Sequence, residues 1–186
     1  HNFQYPEMMI HNIPSPDNVE AGVDDELKAY LLNSVALLEQ AGMQLLAIPC
    51  NSAHVHIEAV SAASKVVVMN ILEEAARAVK KATIKRVLVL GTESTLKQGI
   101  YAPHLERYGT AVVVPSQDHQ ARVTRAIMAV CDGTNDGTTK RQVLDVIESY
   151  PDIEGVVLGC TEIPLIVNQQ DMELPCFDTL EILVRA

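Results

Sequence analysis

Short apolar runs of strand length alternate along this chain with segments in which apolar residues recur every three or four positions. Strands are predicted over residues 7–13, 45–49, 65–69, 86–90, 111–114, 156–158 and 175–177. Helices are predicted over residues 24–41, 53–64, 71–81, 95–108, 118–130 and 138–149, with a last one at the C-terminus. Strands that alternate with helices in this way predict an α/β fold with parallel sheets.

Two of the strand-length runs end in the same way. Residues 45–49 lead to Cys50, and residues 155–159 lead to Cys160, and small polar residues follow each cysteine. The repeat indicates two similar halves, and each half places a thiol at the carboxyl end of a buried strand. Ligands of parallel sheets bind outside this end of the strands. We therefore expect the two thiols to face each other across a cleft.

The position of these repeats also predicts a division of the chain into two units. We expect residues 70–172 to form the core of the second domain. Residues 1–69, together with the returning segment 173–186, are expected to form the first domain.

Composition narrows the possible partners and cofactors. The formal net charge is −10 at pH 7, which argues against nucleic acid or an anionic membrane as a partner. The four cysteines form no CxxC pair, so zinc ribbons and thioredoxin-type motifs are not indicated, and we expect no metal. The chain shows neither a secretory leader nor a membrane-length apolar run, and reduced thiols in the cytoplasm are the simplest interpretation.

A pair of thiols across a cleft suits an enzyme that inverts a carbon centre. A thiolate can remove the weakly acidic Cα proton of an amino acid, and a second cysteine in the thiol form can return a proton to the opposite face. One thiolate and one thiol is also the natural state of two coupled cysteines, because two neighbouring thiolates repel each other. This chemistry requires neither pyridoxal phosphate nor a metal.

Polar residues after three strands are candidates for binding the substrate carboxylate as charge builds on it. These candidates are Asn51 and Ser52 after strand 45–49, Thr92, Ser94 and Thr95 after strand 86–90, and Thr161 after strand 156–158 and Cys160. Glu162 has two interpretations. It is either a carboxylate favoured by a helix N-terminus or a group that orients and polarises Cys160.

Simpler interpretations apply to the other candidate residues. A lone cysteine after an apolar strand is usually a small buried hydrophobe, and we take Cys131 and Cys176 as such. His54 and His56 are more often helix-surface or capping residues than catalytic groups. Together with Cys50 they would make only a weak metal site, because no carboxylate or further cysteine stands at ligand spacing.

At its two cysteines the chain resembles the aspartate/glutamate racemase superfamily, and in particular its cofactor-independent amino-acid racemases. The motifs that carry the resemblance are Pro49-Cys50-Asn51-Ser52-Ala53-His54 and Gly159-Cys160-Thr161-Glu162-Ile163-Pro164. Supporting matches are Gly91-Thr92 with Gly99-Ile100-Tyr101, Pro115-Ser116-Gln117-Asp118, and Leu174-Pro175-Cys176-Phe177-Asp178-Thr179. The resemblance implies two pseudo-symmetric α/β domains with the active site in the cleft between them, and a homodimer. It also implies that Cys50 and Cys160 are the two bases and that Asn51, Ser52, Thr92 and Thr161 surround the α-carboxylate.

Three departures from the family pattern bear on activity and specificity. The family begins with a further strand, a glycine-rich loop and a helix, which are absent from these 186 residues, and that loop borders the site. Ser52 stands where the family commonly has Thr. Aspartate-specific members carry Arg where this chain has Asn18, and a distal Lys near the position of Cys131 and Asp132. Without these cations, glutamate or a broader range of amino acids becomes an alternative to aspartate.

The expected function is therefore amino-acid racemisation by two-base proton transfer. Two alternatives remain. One is a related decarboxylase or isomerase that uses a single cysteine, against which the second thiol argues. The other is a catalytically silent protein that binds an amino acid without exchanging its Cα hydrogen with solvent.

Overall fold

The computed structural model describes residues 7–13 and 25–186. The strands in this part of the chain are β1 (Leu45–Ala47), β2 (Val67–Met69), β3 (Arg86–Leu90), β4 (Ala111–Val113), β5 (Gly155–Leu158) and β6 (Cys176–Asp178). The α-helices are α1 (Asp25–Gln40), α2 (Ile57–Ala63), α3 (Ile71–Lys81), α4 (Glu93–Lys97), α5 (Ala102–Glu106), α6 (Gln117–Cys131), α7 (Gly137–Glu148) and α8 (Thr179–Arg185). Short 3₁₀ turns cover Ser52–His56, Ile163–Leu165 and Gln169–Asp171.

The strands form two parallel sheets, which confirms the predicted α/β class. β1 pairs with β2 in a two-stranded sheet, and the larger sheet has the order β4-β3-β5-β6. Since all pairs are parallel, the carboxyl ends of β3, β5 and β6 lie at one edge of the larger sheet. The loops that carry the candidate residues Thr92 and Thr161 leave from this edge, whereas Asn51 and Ser52 follow β1 of the smaller sheet.

Both faces of the larger sheet are apolar because helices cover both. On one face Leu88, Leu90, Val156 and Leu158 pack against α6 and α7. The alternate strand positions Val87, Val89 and Val157 point to the other face, where they pack against α3, α5 and α8. This alternation follows from the two-residue period of a strand. It explains why β3 and β5 are almost uninterrupted apolar runs.

The smaller sheet has its own core. Leu27, Leu31 and Val35, which are spaced along one face of α1, pack against Leu46 of β1 and Val60 of α2. Asn70 then caps α3, since its Oδ1 accepts hydrogen bonds from the N–H groups of Leu72 and Glu73. The cap fixes where the chain leaves β2 and enters the layer that covers the larger sheet.

The predicted strand over residues 7–13 is wrong. This segment lies beside α1, where the His11 ring nitrogen Nδ1 is 2.8 Å from Ser34 Oγ, and Met8 and Ile10 are exposed. Among the described residues, neither sheet includes a strand that pairs with this segment. The predicted helix 95–108 is also interrupted: α4 and α5 are separate because Gly99 has a φ of 62°, a left-handed conformation that ends a helix.

The C-terminal segment packs differently from the expected division. Residues 173–186 were assigned to the first unit, but β6 pairs with β5, and Phe177 and Leu183 lie in the core beneath α3. An apolar strand gains both hydrogen bonds and burial at the edge of the larger sheet. The boundary between residues 69 and 70 stays a prediction.

The close approach of β3 and β5 at their carboxyl ends depends on Gly159. A Cβ atom at this position would lie 2.8 Å from the Leu90 carbonyl oxygen and 3.0 Å from Tyr101 Cε2. We predict that Gly159→Ala lowers the free energy of unfolding by about 1–3 kcal/mol, because overpacking forces these groups apart. Urea unfolding measures the change. Gly137→Ala is the control, because its Cβ meets nothing within 4 Å and alanine favours the first turn of α7. Equal stability of the two variants would contradict the prediction.

Candidate active site

The first thiol lies in the loop that follows β1. Cys50 is exposed, and its Sγ is 3.4 Å from Ser52 Oγ. The backbone turns here, because the Cys50 N–H donates to the Ile48 carbonyl and the 3₁₀ turn begins at Ser52. When Cys50 is ionised, the Ser52 hydroxyl can donate a hydrogen bond to the thiolate and stabilise its charge.

The second thiol has the opposite kind of partner. Cys160, two residues after β5, is only 8% exposed, and its S–H donates to Glu162 Oε2 at 2.9 Å. The Thr161 hydroxyl donates to the same oxygen at 3.0 Å. Burial raises the pKa of the Cys160 thiol, and the hydrogen bond and negative charge of Glu162 raise it further. Cys160 is therefore held in the thiol form.

The charge of Cys50 is the smallest of the contributions that raise the pKa of Cys160. A chain of buried hydrogen bonds joins their strands. Tyr101 O–H donates to Asn51 Oδ1, and Asn51 Nδ2 donates to Thr179 Oγ1 at 3.1 Å. Thr179 in turn donates to the Leu158 carbonyl at 2.9 Å. These bonds connect the loop that carries Cys50 to the strand that leads to Cys160, and a site shared by the two thiols stays a prediction. We call the hydrogen-bonded set Asn51, Tyr101, Thr179 and the Leu158 carbonyl the inter-sheet bridge.

The inter-sheet bridge changes the role expected for Asn51. Its side chain is 3% exposed and uses both its oxygen and its nitrogen within the bridge, so it orients the cysteine loop. Burial raises the pKa of Tyr101, which keeps its hydroxyl a donor. Sequence reasoning gave Tyr101 and Thr179 no role. The only signal for them was their place in the supporting family matches.

The end of β3 supplies a third group of polar residues. Thr92 caps α4, with its Oγ1 accepting the Thr95 N–H at 3.2 Å and lying 2.9 Å from Thr95 Oγ1. Thr95 is buried, whereas Thr92 is half-buried. Ser94 is also buried, and its hydroxyl accepts from Gln98. Among these three residues, Thr92 alone is partly exposed to solvent. Its hydrogen bonds with Thr95 fix the orientation of its hydroxyl.

His54 is neither a surface residue nor a free ligand. Its side chain is 2% exposed, and both ring nitrogens contact backbone groups of the protein. Among the described residues, no group of three or more His, Cys, Asp or Glu side chains is arranged to hold a metal ion. The weak metal site with Cys50 is therefore not formed.

The remaining cysteines differ from each other. Cys131 is exposed at the end of α6, so its interpretation as a buried hydrophobe is wrong. The helix runs one residue further than predicted and carries the side chain to its exposed end. Cys176 is half-buried beside the core of the larger sheet, and burial raises its pKa to about 11. Asn18, on which substrate specificity was argued, lies outside the described residues.

The site therefore lies in a parallel α/β fold, with a buried thiol after β5 and an exposed thiol in the loop after β1. Residues 4–186 match the Asp/Glu/Hydantoin racemase family, and the chain belongs to this family. Every helix in the described part of the chain is too short or too polar to span a bilayer.

Three known proteins give the extent of the similarity. The broad specificity amino-acid racemase RacX of Bacillus subtilis is 29% identical over 100% of this chain and 82% of its own length. The crystal structure of an aspartate racemase homologue from Pyrococcus horikoshii superposes with a TM-score of 0.83 at 32% identity, covering 100% of this chain and 83% of that one. The glutamate racemase of Aquifex pyrophilus is 27% identical over 78% of this chain, and the match spans 56% of that enzyme.

The proton state of Cys160 generates a prediction. Glu162→Gln removes the negative charge beside the thiol, so the pKa of Cys160 falls. We expect iodoacetamide to alkylate Cys160 about tenfold faster near neutral pH, the change that a loss of about 1.4 kcal/mol of charge repulsion produces. Mass spectrometry of the Cys160 peptide measures the rate. Glu148→Gln, an exposed carboxylate on α7, is the control. Equal rates in the two variants would refute the assigned effect of Glu162.

The inter-sheet bridge generates a second prediction. Thr179→Val keeps the shape of the side chain but leaves the Asn51 amide and the Leu158 carbonyl without their partner. We expect the free energy of unfolding to fall by about 1–3 kcal/mol, because a buried polar group loses its hydrogen bond. Thr179→Ser retains the hydroxyl and is expected to lie closer to the wild type. Urea unfolding compares the three proteins, and a Val variant as stable as the Ser variant would contradict the role of the bridge.

Proposed function

We propose that this protein is a cofactor-independent amino-acid racemase that interconverts L and D enantiomers by two-base proton transfer at Cα. One of Cys50 and Cys160 removes the Cα proton, and the other donates a proton to the opposite face. The observation that carries the proposal is the difference between the partners of the two thiols. A hydroxyl, which can donate or accept, lies beside Cys50, whereas a carboxylate that accepts the thiol hydrogen lies beside Cys160. Such a pair holds one base and one acid in the same site.

The hydrogen bonds suggest which thiol is which in the resting enzyme. Cys50 acts as the thiolate and removes the Cα proton, with Ser52 stabilising its charge. Cys160 then donates its thiol proton to the opposite face of the carbanion, which leaves Cys50 as a thiol and Cys160 as a thiolate. The opposite direction starts from this second state. Glu162, at hydrogen-bond distance from Cys160 Sγ, is the group that accepts the thiol proton when Cys160 must ionise without substrate.

The substrate is held by polar groups around the thiols. We assign the Thr92 hydroxyl and the Ser52 backbone N–H to the α-carboxylate, because the single hydrogen of the Ser52 hydroxyl is used by the Cys50 thiolate. Thr161 donates its own hydrogen to Glu162, so its oxygen is left to accept a hydrogen bond from the substrate ammonium group. Asn51 and Thr95 contribute by positioning their neighbours. Charge stabilisation on the carboxylate is what makes the Cα proton removable without an electron sink.

The substrate range follows from the family resemblance and from charge. Asn18 offers no cation for a side-chain carboxylate, and no Lys stands near Cys131. The similarity to a broad specificity amino-acid racemase supports a range of substrates wider than aspartate alone.

The family resemblance also supports a homodimer. The four free cysteines support a reducing compartment, the cytoplasm.

Replacement of each cysteine tests the mechanism. We expect Cys50→Ala and Cys160→Ala each to lower the racemisation rate by a factor of about 10³ or more, because each proton transfer loses its only group. Each variant is expected to exchange the Cα hydrogen of one enantiomer only, through the thiol that remains. Proton NMR of the full-length protein with single enantiomers in D₂O, across a panel of amino acids, measures exchange, while polarimetry measures racemisation.

The control for these variants is Cys131→Ser, which removes an exposed thiol on α6. We expect it to keep the wild-type rate. Wild-type rates in either alanine variant would remove that cysteine from the mechanism. Binding of amino acids by the wild type without any exchange would favour a silent binding protein.

A further inference from the structure

The ring of His54 connects the Cys50 loop to the start of α3. His54 Nδ1 is 2.8 Å from the Cys50 carbonyl oxygen, and the Ile71 N–H donates to His54 Nε2 at 3.2 Å. Ile71 is the first residue of α3, and its N–H is one of those that a helix leaves without an internal acceptor. The ring therefore satisfies a helix terminus with one nitrogen and holds the cysteine peptide with the other.

These two contacts determine the proton position on the ring. Because Nε2 accepts from the Ile71 N–H, the single proton of a neutral imidazole lies on Nδ1, from which it is donated to the Cys50 carbonyl. Burial lowers the pKa of His54, which favours this neutral form. A protonated ring would carry a second N–H pointing at the Ile71 N–H, and both groups would then be donors.

We propose that His54 is a positioning residue that sets the orientation of the Cys50 thiol by tying the Cys50 carbonyl to the N-terminus of α3. The inference rests on the base role of Cys50 in the proposed function. The Cys50 N–H donates to the Ile48 carbonyl at 2.8 Å, and the Cys50 carbonyl is held by His54, so the peptide groups on both sides of the Cys50 Cα are bonded. The inter-sheet bridge holds the side chain of the next residue, Asn51. The Cys50 side chain therefore retains few orientations other than its rotamers.

The groups that face His54 do not supply an alternative role for the ring. The carbonyl oxygens of Cys50 and Met69 lie against it from the loop and from β2, and His104 of α5 is the titratable side chain whose positive form lowers the pKa of His54. His104 is itself bonded to Glu73. The surroundings of the ring therefore favour a neutral imidazole with backbone partners over an acid or base that exchanges protons with the substrate.

His54→Gln and His54→Phe distinguish this role from simple packing. In a glutamine side chain the amide oxygen and nitrogen flank one carbon, as the two ring nitrogens flank Cε1, so Gln can keep both backbone contacts. Phe fills the space and keeps neither. We expect the Gln variant to retain most of kcat, and the Phe variant to lose about 100-fold in kcat at nearly unchanged KM, as expected for a misplaced catalytic group.

Asn70→Ala is the matched structural control. It weakens the same helix terminus by removing the Asn70 cap of Leu72 and Glu73, but it leaves the His54 contact with Cys50 in place. We expect it to lower the urea midpoint as His54→Phe does while kcat stays close to the wild type. Equal losses of kcat in Asn70→Ala and His54→Phe would mean that His54 acts only through the stability of α3, and would overturn the proposal.

Alkylation of Cys50 separates this inference from the proposed function. Iodoacetamide labelling of the Cys50 peptide, followed by mass spectrometry across pH 5–9, needs no racemase activity. We expect the profile of His54→Phe to differ from the wild type and that of His54→Gln to match it. A changed profile in a protein that racemises nothing would retain the positioning role and reject the function, whereas an unchanged Phe profile would reject the positioning role.

Unfolding at acid pH gives an independent readout. The pKa of His54 is lower in the folded than in the unfolded protein, so the unfolded state binds more protons and stability rises with pH. The stability that this group contributes is present above the unfolded pKa of about 6.5 and is lost as pH falls below it. We expect the urea midpoint of the wild type to fall more than that of His54→Gln between pH 7 and pH 5. Equal falls would contradict the buried neutral ring.

Discussion

Hydrogen bonds that cross from the cysteine loop of the small sheet to the large sheet hold the site together. Asn51 accepts from Tyr101 and donates to Thr179, and Thr179 donates to the Leu158 carbonyl at the end of β5. These buried groups have no water to replace a lost partner, so the bridge is strong only when complete. Because Asn51 follows Cys50 and Leu158 precedes Cys160 by two residues, the bridge sets one thiol relative to the other.

The surroundings of the two thiols differ in a way that separates an acid from a base. Cys160 is buried and donates to a carboxylate, whereas Cys50 is exposed and has a hydroxyl beside it. Two identical side chains thus have different burial and different partners, and burial and Glu162 raise the pKa of Cys160. Small hydroxyl residues suit this site because they donate or accept according to the proton state of the partner.

The fold and the cysteine pair could be predicted from the sequence, but the contacts between distant residues could not. The helix 71–81 and the strand 86–90 occur as predicted, because propensity and apolar period agree there. The strand expected at 7–13 has no partner strand among the described residues. The apolar pattern of a segment does not show whether such a partner exists. The role of Asn51 depends on Tyr101 and Thr179, which are 50 and 128 residues away in the chain. Likewise, the family motif includes His54, but it does not predict that the His54 ring accepts a hydrogen bond from the Ile71 N–H.

The most direct test of the central claim starts from one enantiomer of a substrate amino acid in D₂O and follows optical rotation to equilibrium. With one thiol on each face, the product takes its hydrogen from the second, solvent-exchanged thiol, while the remaining substrate keeps its protium. The account predicts that the rotation passes through zero and transiently takes the opposite sign, because the deuterated product returns more slowly than the protiated substrate reacts. Product that retains the protium of the substrate, with a rotation that decays to zero without changing sign, would contradict the two-base account.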